Sequence, residues 1–288
     1  MFDVCVIGHI TKDIIRVDGK IEKSIPGGTA YYTSIALASL GLNVAVITKT
    51  ARSDRTELLA ELKSRGITVF WQPSPETSLF EEIYYRENLD LRTEKVWAIA
   101  ESFSPEDLVD IEAKVFHIGP LTDRDLTDGF LPEVANRQHL LTLDAQGLVR
   151  EITASGEVRD VDWFNKKLEL PSIDILKVDD REAKILAGEI DVDRAAIQLS
   201  QWGVGETIVT FGSRGSLVYA QNQFYRIPAF PPKEAIDATG CGDTYIAGYI
   251  YQRLNATDFE KAGRFAARAA TRKLEKFGPL TDFPSSLK

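Results

Sequence analysis

Short apolar runs recur along the chain, and most are separated from the next by a segment with helical periodicity. Parallel strands buried on both faces appear in a sequence as such runs, because each must be joined to the next by a crossover, usually a helix. The candidate strands cover residues 4–7, 44–48, 114–118, 140–144, 173–178 and 207–211. This alternation predicts an α/β fold, a doubly wound αβα core with a mostly parallel sheet.

Two segments depart from this rhythm. Residues 13–25 and 68–99 alternate apolar and polar side chains, which is typical of strands with one exposed face. We expect them to form a small second sheet that covers a cleft as a lid. Periodicity alone leaves an edge extension of the main sheet open as the alternative. With the lid included, residues 1–288 are expected to form a single domain.

Composition and charge exclude several classes of protein. The chain has 34 Lys and Arg against 43 Asp and Glu, so its formal net charge of −9 argues against a nucleic-acid partner. No run reaches the roughly 18 apolar residues of a membrane span, and no basic region precedes the first apolar run. The two cysteines, Cys5 and Cys241, have neither metal-type nor redox-type spacing. We therefore expect a cytoplasmic protein with no membrane partner.

The segment that most directly indicates chemistry covers residues 237–248, Asp-Ala-Thr-Gly-Cys-Gly-Asp-Thr-Tyr-Ile-Ala-Gly. A turn of small residues here leads into an apolar helical segment. Free N–H groups at a helix start bind anions, and glycines let a phosphate approach closely. An acid just beyond, Asp243, would be placed to take a proton from an attacking hydroxyl. The alternative is that Asp243 only stabilises the helix terminus, where the dipole favours an acid.

These residues resemble a known family. Residues 237–243 resemble the Asp-Thr-x-Gly-Ala-Gly-Asp signature of the ribokinase-like (PfkB) carbohydrate kinases. Residues 26–28, Pro-Gly-Gly, resemble the family's sugar-binding segment, and Gly8 with Asp13 resembles its first-strand substrate site. Residues 177–182 resemble its Asn-x-x-Glu segment, and residues 210–215 its Thr-x-Gly-x-x-Gly turn. The resemblance covers essentially the whole chain and implies a ribokinase-like fold.

The resemblance also implies a role for each matching residue. Asp243 would be the catalytic base, and the backbone of Gly240, Cys241 and Gly242 would form an anion hole for the γ-phosphate of ATP. The positions implied to hold the substrate are Asp13, Gly27, Gly28 and Tyr32. The positions implied to shape the nucleotide pocket are Thr210, Gly212 and Gly215. Asp179 and Glu182 would organise Mg²⁺, although two acids at a helix start also suit the helix dipole.

The departures from the family pattern bear on the substrate. Tyr32 falls where ribokinases have a sugar-binding Asn, and Tyr31 precedes it, which is similar to the inositol kinase branch. Asp179 replaces the usual Asn and Cys241 the usual Ala. Because no His lies near Cys241 in the sequence, we do not expect it to act as a nucleophile.

The expected function is that of an ATP-dependent kinase acting on a hydroxyl of a small sugar or cyclic polyol, with an inositol-like acceptor favoured. The alternatives are a nucleoside kinase of the same family and a non-catalytic binding or regulatory protein on the same fold. ATP and Mg²⁺ are the implied cofactors, and activation by a monovalent cation is left open. Aromatic residues of the inserted segment, among them Tyr84 and Tyr85, would suit either a lid wall or a homodimer contact through the lid.

Overall fold

The strands of the protein form three sheets. This computed structural model describes residues 1–18, 20–85, 88–108, 111–135 and 139–283, and within them the sheets have nine, four and two strands. The strands are β1 (Phe2–Ile7), β2 (Thr11–Val17), β3 (Lys20–Gly27), β4 (Val44–Thr50), β5 (Thr68–Pro73), β6 (Leu79–Tyr85), β7 (Asn88–Ala98), β8 (Ala113–Ile118), β9 (Leu140–Asp144), β10 (Arg150–Ile152), β11 (Val158–Asp160), β12 (Ile175–Asp179), β13 (Glu206–Thr210), β14 (Ser216–Ala220) and β15 (Gln223–Ile227).

Helices connect most of these strands. They are α1 (Thr29–Ser39), α2 (Arg55–Leu58), α3 (Ala60–Ser64), α4 (Phe130–Ala135), α5 (Lys166–Glu169), α6 (Asp180–Ala187), α7 (Val192–Gln201), α8 (Cys241–Leu254) and α9 (Phe259–Leu274). Short 3₁₀ turns cover Pro105–Asp107, Gln146–Val149, Leu170–Ser172 and Gly212–Arg214. Among the described residues, no helix is long and apolar enough to cross a membrane.

The large sheet has the order β15-β14-β13-β12-β9-β8-β1-β4-β5. From β13 to β5 every neighbouring pair is parallel, and β14 and β15 add an antiparallel hairpin at one edge. All the strands expected from the apolar runs lie side by side in this sheet. The predicted α/β fold with a mostly parallel sheet is therefore confirmed.

Helices cover both faces of the large sheet. Val4 and Val6 of β1 belong to a core shared with α1, α8 and α9, whereas Cys5 and Ile7 face the core shared with α4, α6 and α7. Both faces of the strand are buried, so its sequence is an almost continuous apolar run.

The small sheet has the order β3-β2-β6-β7, with β2 and β6 parallel and the other pairs antiparallel. Most of the two alternating segments lies in this small sheet, but β5 pairs with β4 in the large sheet. Residues 68–99 are thus divided between the two sheets rather than lying wholly in the lid. As an edge strand β5 is half-exposed, and an alternating pattern does not distinguish that position from a lid strand. The side chains of Tyr84 and Tyr85 fall outside the described part of the structure.

The lid is attached to the large sheet through the β10–β11 hairpin. The N–H of Val96 in β7 donates to the carbonyl of Gly156 at 2.8 Å. Phe80 and Val96 of the lid also pack against Leu121 and Ile152 from outside it. These contacts hold the inner face of the lid over the edge of the large sheet.

Helix α8, which begins within residues 237–248, packs closely against α9. A Cβ placed on Gly248 of α8 would lie 3.1 Å from the Cα of Ala266 and 3.3 Å from Cδ1 of Phe265, both in α9. The two helices approach this closely because position 248 has no side chain.

We expect Gly248→Leu to lower the free energy of unfolding by about 1–3 kcal/mol, the usual range for overpacking a core. Gly248→Ala should have a smaller effect, because one methyl group needs only a small shift and Ala favours the helix by roughly 0.5–1 kcal/mol over Gly. Urea unfolding of both variants against wild type checks this. Equal stability of the Leu variant and wild type would contradict the packing argument.

Candidate active site

The carboxyl ends of the parallel strands bring the candidate residues to one edge of the large sheet. Asp144 ends β9, Asp179 ends β12 and Thr210 ends β13. In doubly wound folds ligands bind outside these strand ends. The lid lies over the same edge, so a cleft forms between the two sheets.

The cleft is narrow, with a cavity volume of about 50 Å³. Its lining residues come from the lid, α1, the 237–248 turn and loops at the sheet edge, and they are Thr11, Asp13, Gly28, Thr29, Tyr32, Phe80, Glu82, Glu94, Leu121, Gln146, Thr239, Gly240 and Asp243. Residues expected to bind substrate and residues expected to be catalytic thus share one cavity.

The start of α8 depends on a glycine in the left-handed region. Gly240 precedes the helix with φ of 77°, and a Cβ there would lie 2.2 Å from Cδ1 of Tyr32. The ring of Tyr32 therefore packs directly on the turn. The N–H of Cys241 donates to the carbonyl of Ala238 at 3.2 Å, so it closes the turn, and the N–H groups of Gly242 and Asp243 come next at this helix terminus.

The Gly27-Gly28 pair makes room for a buried acid. Asp13 is 3% exposed and accepts a hydrogen bond from Oγ1 of Thr11 at 2.6 Å. A Cβ at Gly27 would lie 1.7 Å from Oδ2 of Asp13, and one at Gly28 would lie 2.4 Å from the carbonyl oxygen of His9. A side chain at position 27 would displace the Asp13 carboxylate, and one at position 28 would collide with the backbone of His9.

Two further carboxylates line the cleft from the lid, and the sequence analysis did not identify them. Glu82 accepts a hydrogen bond from Oγ1 of Thr239 at 3.4 Å, and Glu94 accepts one from Nη1 of Arg150 at 2.6 Å. Both have the same parity as the buried apolar residue of their own strand, Phe80 for Glu82 and Val96 for Glu94. An acid on the inward-facing parity of an alternating strand was the available signal.

Lys177 is a second feature that sequence reasoning missed. It lies in β12, is 6% exposed, and its Nζ donates to Oδ2 of Asp144 at 2.7 Å. Burial opposes its charge, but the carboxylates of Asp144, Glu182 and Asp243 outweigh burial and raise the pKa of Lys177 above its usual range. The signal in the sequence was a lysine inside an apolar strand, Ile-Leu-Lys-Val.

Asp179 and Glu182 bond to each other across the start of α6. The N–H of Glu182 donates to Oδ1 of Asp179 at 2.7 Å, and the N–H of Asp179 donates to Oε2 of Glu182 at 2.8 Å, which is a capping box. Burial, followed by the charge of Asp179, raises the pKa of Glu182 to about 7, while Lys177 and Arg150 act against the rise. The described residues contain no cluster of three or more acid, His or Cys side chains that could hold a metal.

The residues expected to shape a nucleotide pocket lie one strand further along. Thr210 pairs with Asp179 across β12 and β13, and Gly212 begins the following 3₁₀ turn. Gly215 ends that turn with φ of 99°, and a Cβ there would lie 2.3 Å from the carbonyl oxygen of Ile227. Asp13 and Tyr32 line the cleft, whereas Thr210, Gly212 and Gly215 are not among its lining residues.

A buried lysine anchors the first residue of the motif. Nζ of Lys273, in α9, donates to both the carbonyl and Oδ2 of Asp237 at 3.0 Å and to the carbonyl of Lys276 at 3.1 Å. Its side chain is fully buried. In the sequence it is one more basic residue of an amphipathic helix, so only the fold identifies its role.

Residues 1–286 match the sequence profile of the pfkB family carbohydrate kinases. The chain belongs to this family. The predicted resemblance is therefore confirmed, as is its assignment to the phosphotransferase enzymes over a non-catalytic protein.

Relatives in the family differ in substrate. Cytidine kinase of Thermococcus kodakarensis is 28% identical, over 96% of this chain and 98% of its own. Ribokinase of Bacillus subtilis is 24% identical, over 99% and 97%. A solved pyrophosphate-dependent kinase in the ribokinase family, complexed with a pyrophosphate analogue and myo-inositol, is 30% identical with a TM-score of 0.87, over 96% and 97%. PfkB kinases similar to this one thus include sugar, nucleoside and inositol enzymes.

The Cys241 thiol lies against two carbonyl groups, those of Ala270 at 3.6 Å and Asp237 at 3.9 Å. Burial raises the pKa of this thiol to about 12. A thiol in this state is a poor nucleophile because the thiolate is the reactive form.

We expect the folded protein to resist iodoacetamide at pH 8, where only about 10⁻⁴ of a thiol with this pKa is ionised. Cys5 is fully buried and should be protected as well. Intact mass spectrometry checks both, with the guanidinium-unfolded protein as the control that should gain two adducts. Rapid addition of one adduct to the folded protein would show that Cys241 is reactive.

Proposed function

We propose that this kinase transfers the terminal phosphoryl group of ATP to a hydroxyl of a cyclic polyol of the inositol type. The observation that carries the proposal is the meeting of Asp13, Asp243 and the N-terminus of α8 in one cleft. A hydroxyl held by Asp13 in this cleft would lie between an acid that can accept its proton and backbone groups that can bind the phosphoryl oxygens.

In this mechanism Asp243 accepts the proton of the attacking hydroxyl. The bond from that oxygen to phosphorus forms as the bond to the donor's leaving oxygen breaks. Negative charge on the phosphoryl oxygens is stabilised by the N–H groups at the start of α8, with Gly240 and Gly242 leaving the space for them.

The acceptor half of the cleft is rich in carboxylates. Asp13, Glu82 and Glu94 line it, and carboxylate oxygens accept hydrogen bonds from hydroxyls. An uncharged ring with several hydroxyls suits such a lining, and Tyr32 and Phe80 supply apolar surface for the ring faces. The solved neighbour with bound myo-inositol supports the same acceptor class, whereas the cytidine kinase relative supports a nucleoside as the second candidate.

Asp179 and Glu182 are proposed to act on the donor side. Mg²⁺ is commonly held by one or two carboxylates together with waters and substrate phosphates, so this pair suits an ion that arrives with the donor. Such an ion would neutralise charge on the phosphates. Thr210, Gly212 and Gly215 are proposed to shape the nucleotide pocket beside the pair.

The test is a matrix of donors and acceptors. Product formation is measured with ATP or pyrophosphate, each with Mg²⁺, against myo-inositol, ribose, fructose and cytidine, in buffers with and without K⁺. We expect ATP with myo-inositol to give the highest kcat/KM. Turnover with pyrophosphate but not with ATP would show that pyrophosphate is the donor. Turnover with cytidine but with no other acceptor would show that the acceptor is a nucleoside.

We expect Asp243→Asn to lower kcat by about 10²–10⁴, the usual contribution of a general base, with little change in the acceptor KM. The matched control is Asp258→Asn, because Asp258 caps the start of α9 away from the cleft. If Asp243 only stabilises the helix terminus, both variants will turn over at nearly the wild-type rate.

A further inference from the structure

The Lys177 ammonium faces the start of α8. A Cβ built on Gly242 would lie 3.0 Å from Nζ of Lys177 and 3.4 Å from its Cε. A methyl group at position 242 would therefore require the end of the lysine side chain to move by a few tenths of an ångström. Because residue 242 is a glycine, the ammonium lies next to the N-terminus of α8.

The hydrogen-bonding capacity of this ammonium is largely unused. An ammonium has three N–H donors. Across the described residues, Asp144 is the one side chain or carbonyl to which Lys177 donates. Buried polar groups normally find partners, so two N–H groups next to an anion-binding helix terminus indicate a ligand that is itself an anion.

The Lys177 ammonium is held in place by an ion pair, because its Nζ lies 2.7 Å from Oδ2 of Asp144. His117 lies on the same face of the sheet, but burial lowers its pKa to about 4, so it is neutral near pH 7. The positive charge that faces Gly242 is therefore that of Lys177.

We propose that Lys177 is a catalytic residue whose ammonium contacts the phosphoryl group during transfer and completes the anion hole at the start of α8. The inference rests on the proposed function.

The phosphoryl group leaves the donor oxygen and bonds to the acceptor oxygen, and the acceptor's proton goes to Asp243. Lys177 stays protonated throughout and donates hydrogen bonds to the phosphoryl oxygens, as lysines at phosphate sites do. Asp144 is a positioning residue that fixes the ammonium.

Lys177→Met should lower kcat by about 10²–10³, the range for losing one donor of an oxyanion site, and leave the acceptor KM within about threefold. Binding of inorganic pyrophosphate, measured by calorimetry, should weaken at least about tenfold, while Lys177→Arg should recover part of both. The matched control is Lys49→Met, which removes a buried lysine paired with Asp107 at 2.7 Å outside the cleft. Its kcat and pyrophosphate affinity should stay near wild type.

A purely structural role makes a different prediction for the double variant. If Lys177 only neutralises Asp144, Lys177→Met with Asp144→Asn removes both charges and should restore kcat. If Lys177 binds the phosphoryl group, the double variant should be as slow as Lys177→Met. Recovery of kcat and pyrophosphate binding in the double variant, or wild-type values in Lys177→Met, would overturn the proposal.

A second variant and a binding comparison also test the role of Lys177. Should Lys177→Met fail to fold, Lys177→Gln retains a polar side chain but removes the charge, and it should lose kcat and pyrophosphate affinity together. Wild-type values in Lys177→Gln would overturn the proposal. Should wild type phosphorylate none of the acceptors, the proposed function fails, while comparing pyrophosphate binding to wild type and Lys177→Met still decides the role of the lysine.

Discussion

The start of α8 depends on glycines at the points where its backbone comes closest to neighbouring side chains. Gly240 lies against the ring of Tyr32, and Gly242 lies against the ammonium of Lys177. The same constraint operates on the acceptor side, where Gly27 leaves room for Asp13. Each of these approaches joins parts of the chain that are distant in sequence. The cleft therefore exists only when α1, β12 and α8 are packed together, and the α8–α9 contact at Gly248 holds that packing.

Electrostatics divides the cleft into two halves. Carboxylates dominate the acceptor half, where hydroxyl groups can donate to them. Two buried cations oppose the acids: Arg150 lies between the two halves, 2.6 Å from Glu94 and 3.9 Å from Glu182, and Lys177 bonds to Asp144 on the proposed donor side. A chain with a net charge of −9 can therefore present a local site for a phosphate. Local donors decide the affinity there, because surface charges far from the site are screened by salt.

Much of the fold could be predicted from periodicity, because strands buried on both faces leave a plain apolar signature. The placement of β5 could not, since an exposed edge strand and a lid strand alternate in the same way. The turn at the start of α8 could be predicted from the spacing of Gly240, Gly242 and Asp243, whereas the use of the Cys241 N–H to close that turn could not. Glu82, Glu94 and Lys177 were missed because a charged residue in a strand gives no sign of which groups it will meet.

The sequence by itself determined the α/β class, the order of the segments and the position of the acid after the small-residue turn, because these depend on local pattern and spacing. It also carried the motifs by which the chain belongs to the PfkB kinases. Only the tertiary structure decided that Lys273 holds Asp237 and that Lys177 faces Gly242. Those facts depend on distances between groups on separate elements. Such distances are set by how helices and sheets pack, which no local pattern specifies.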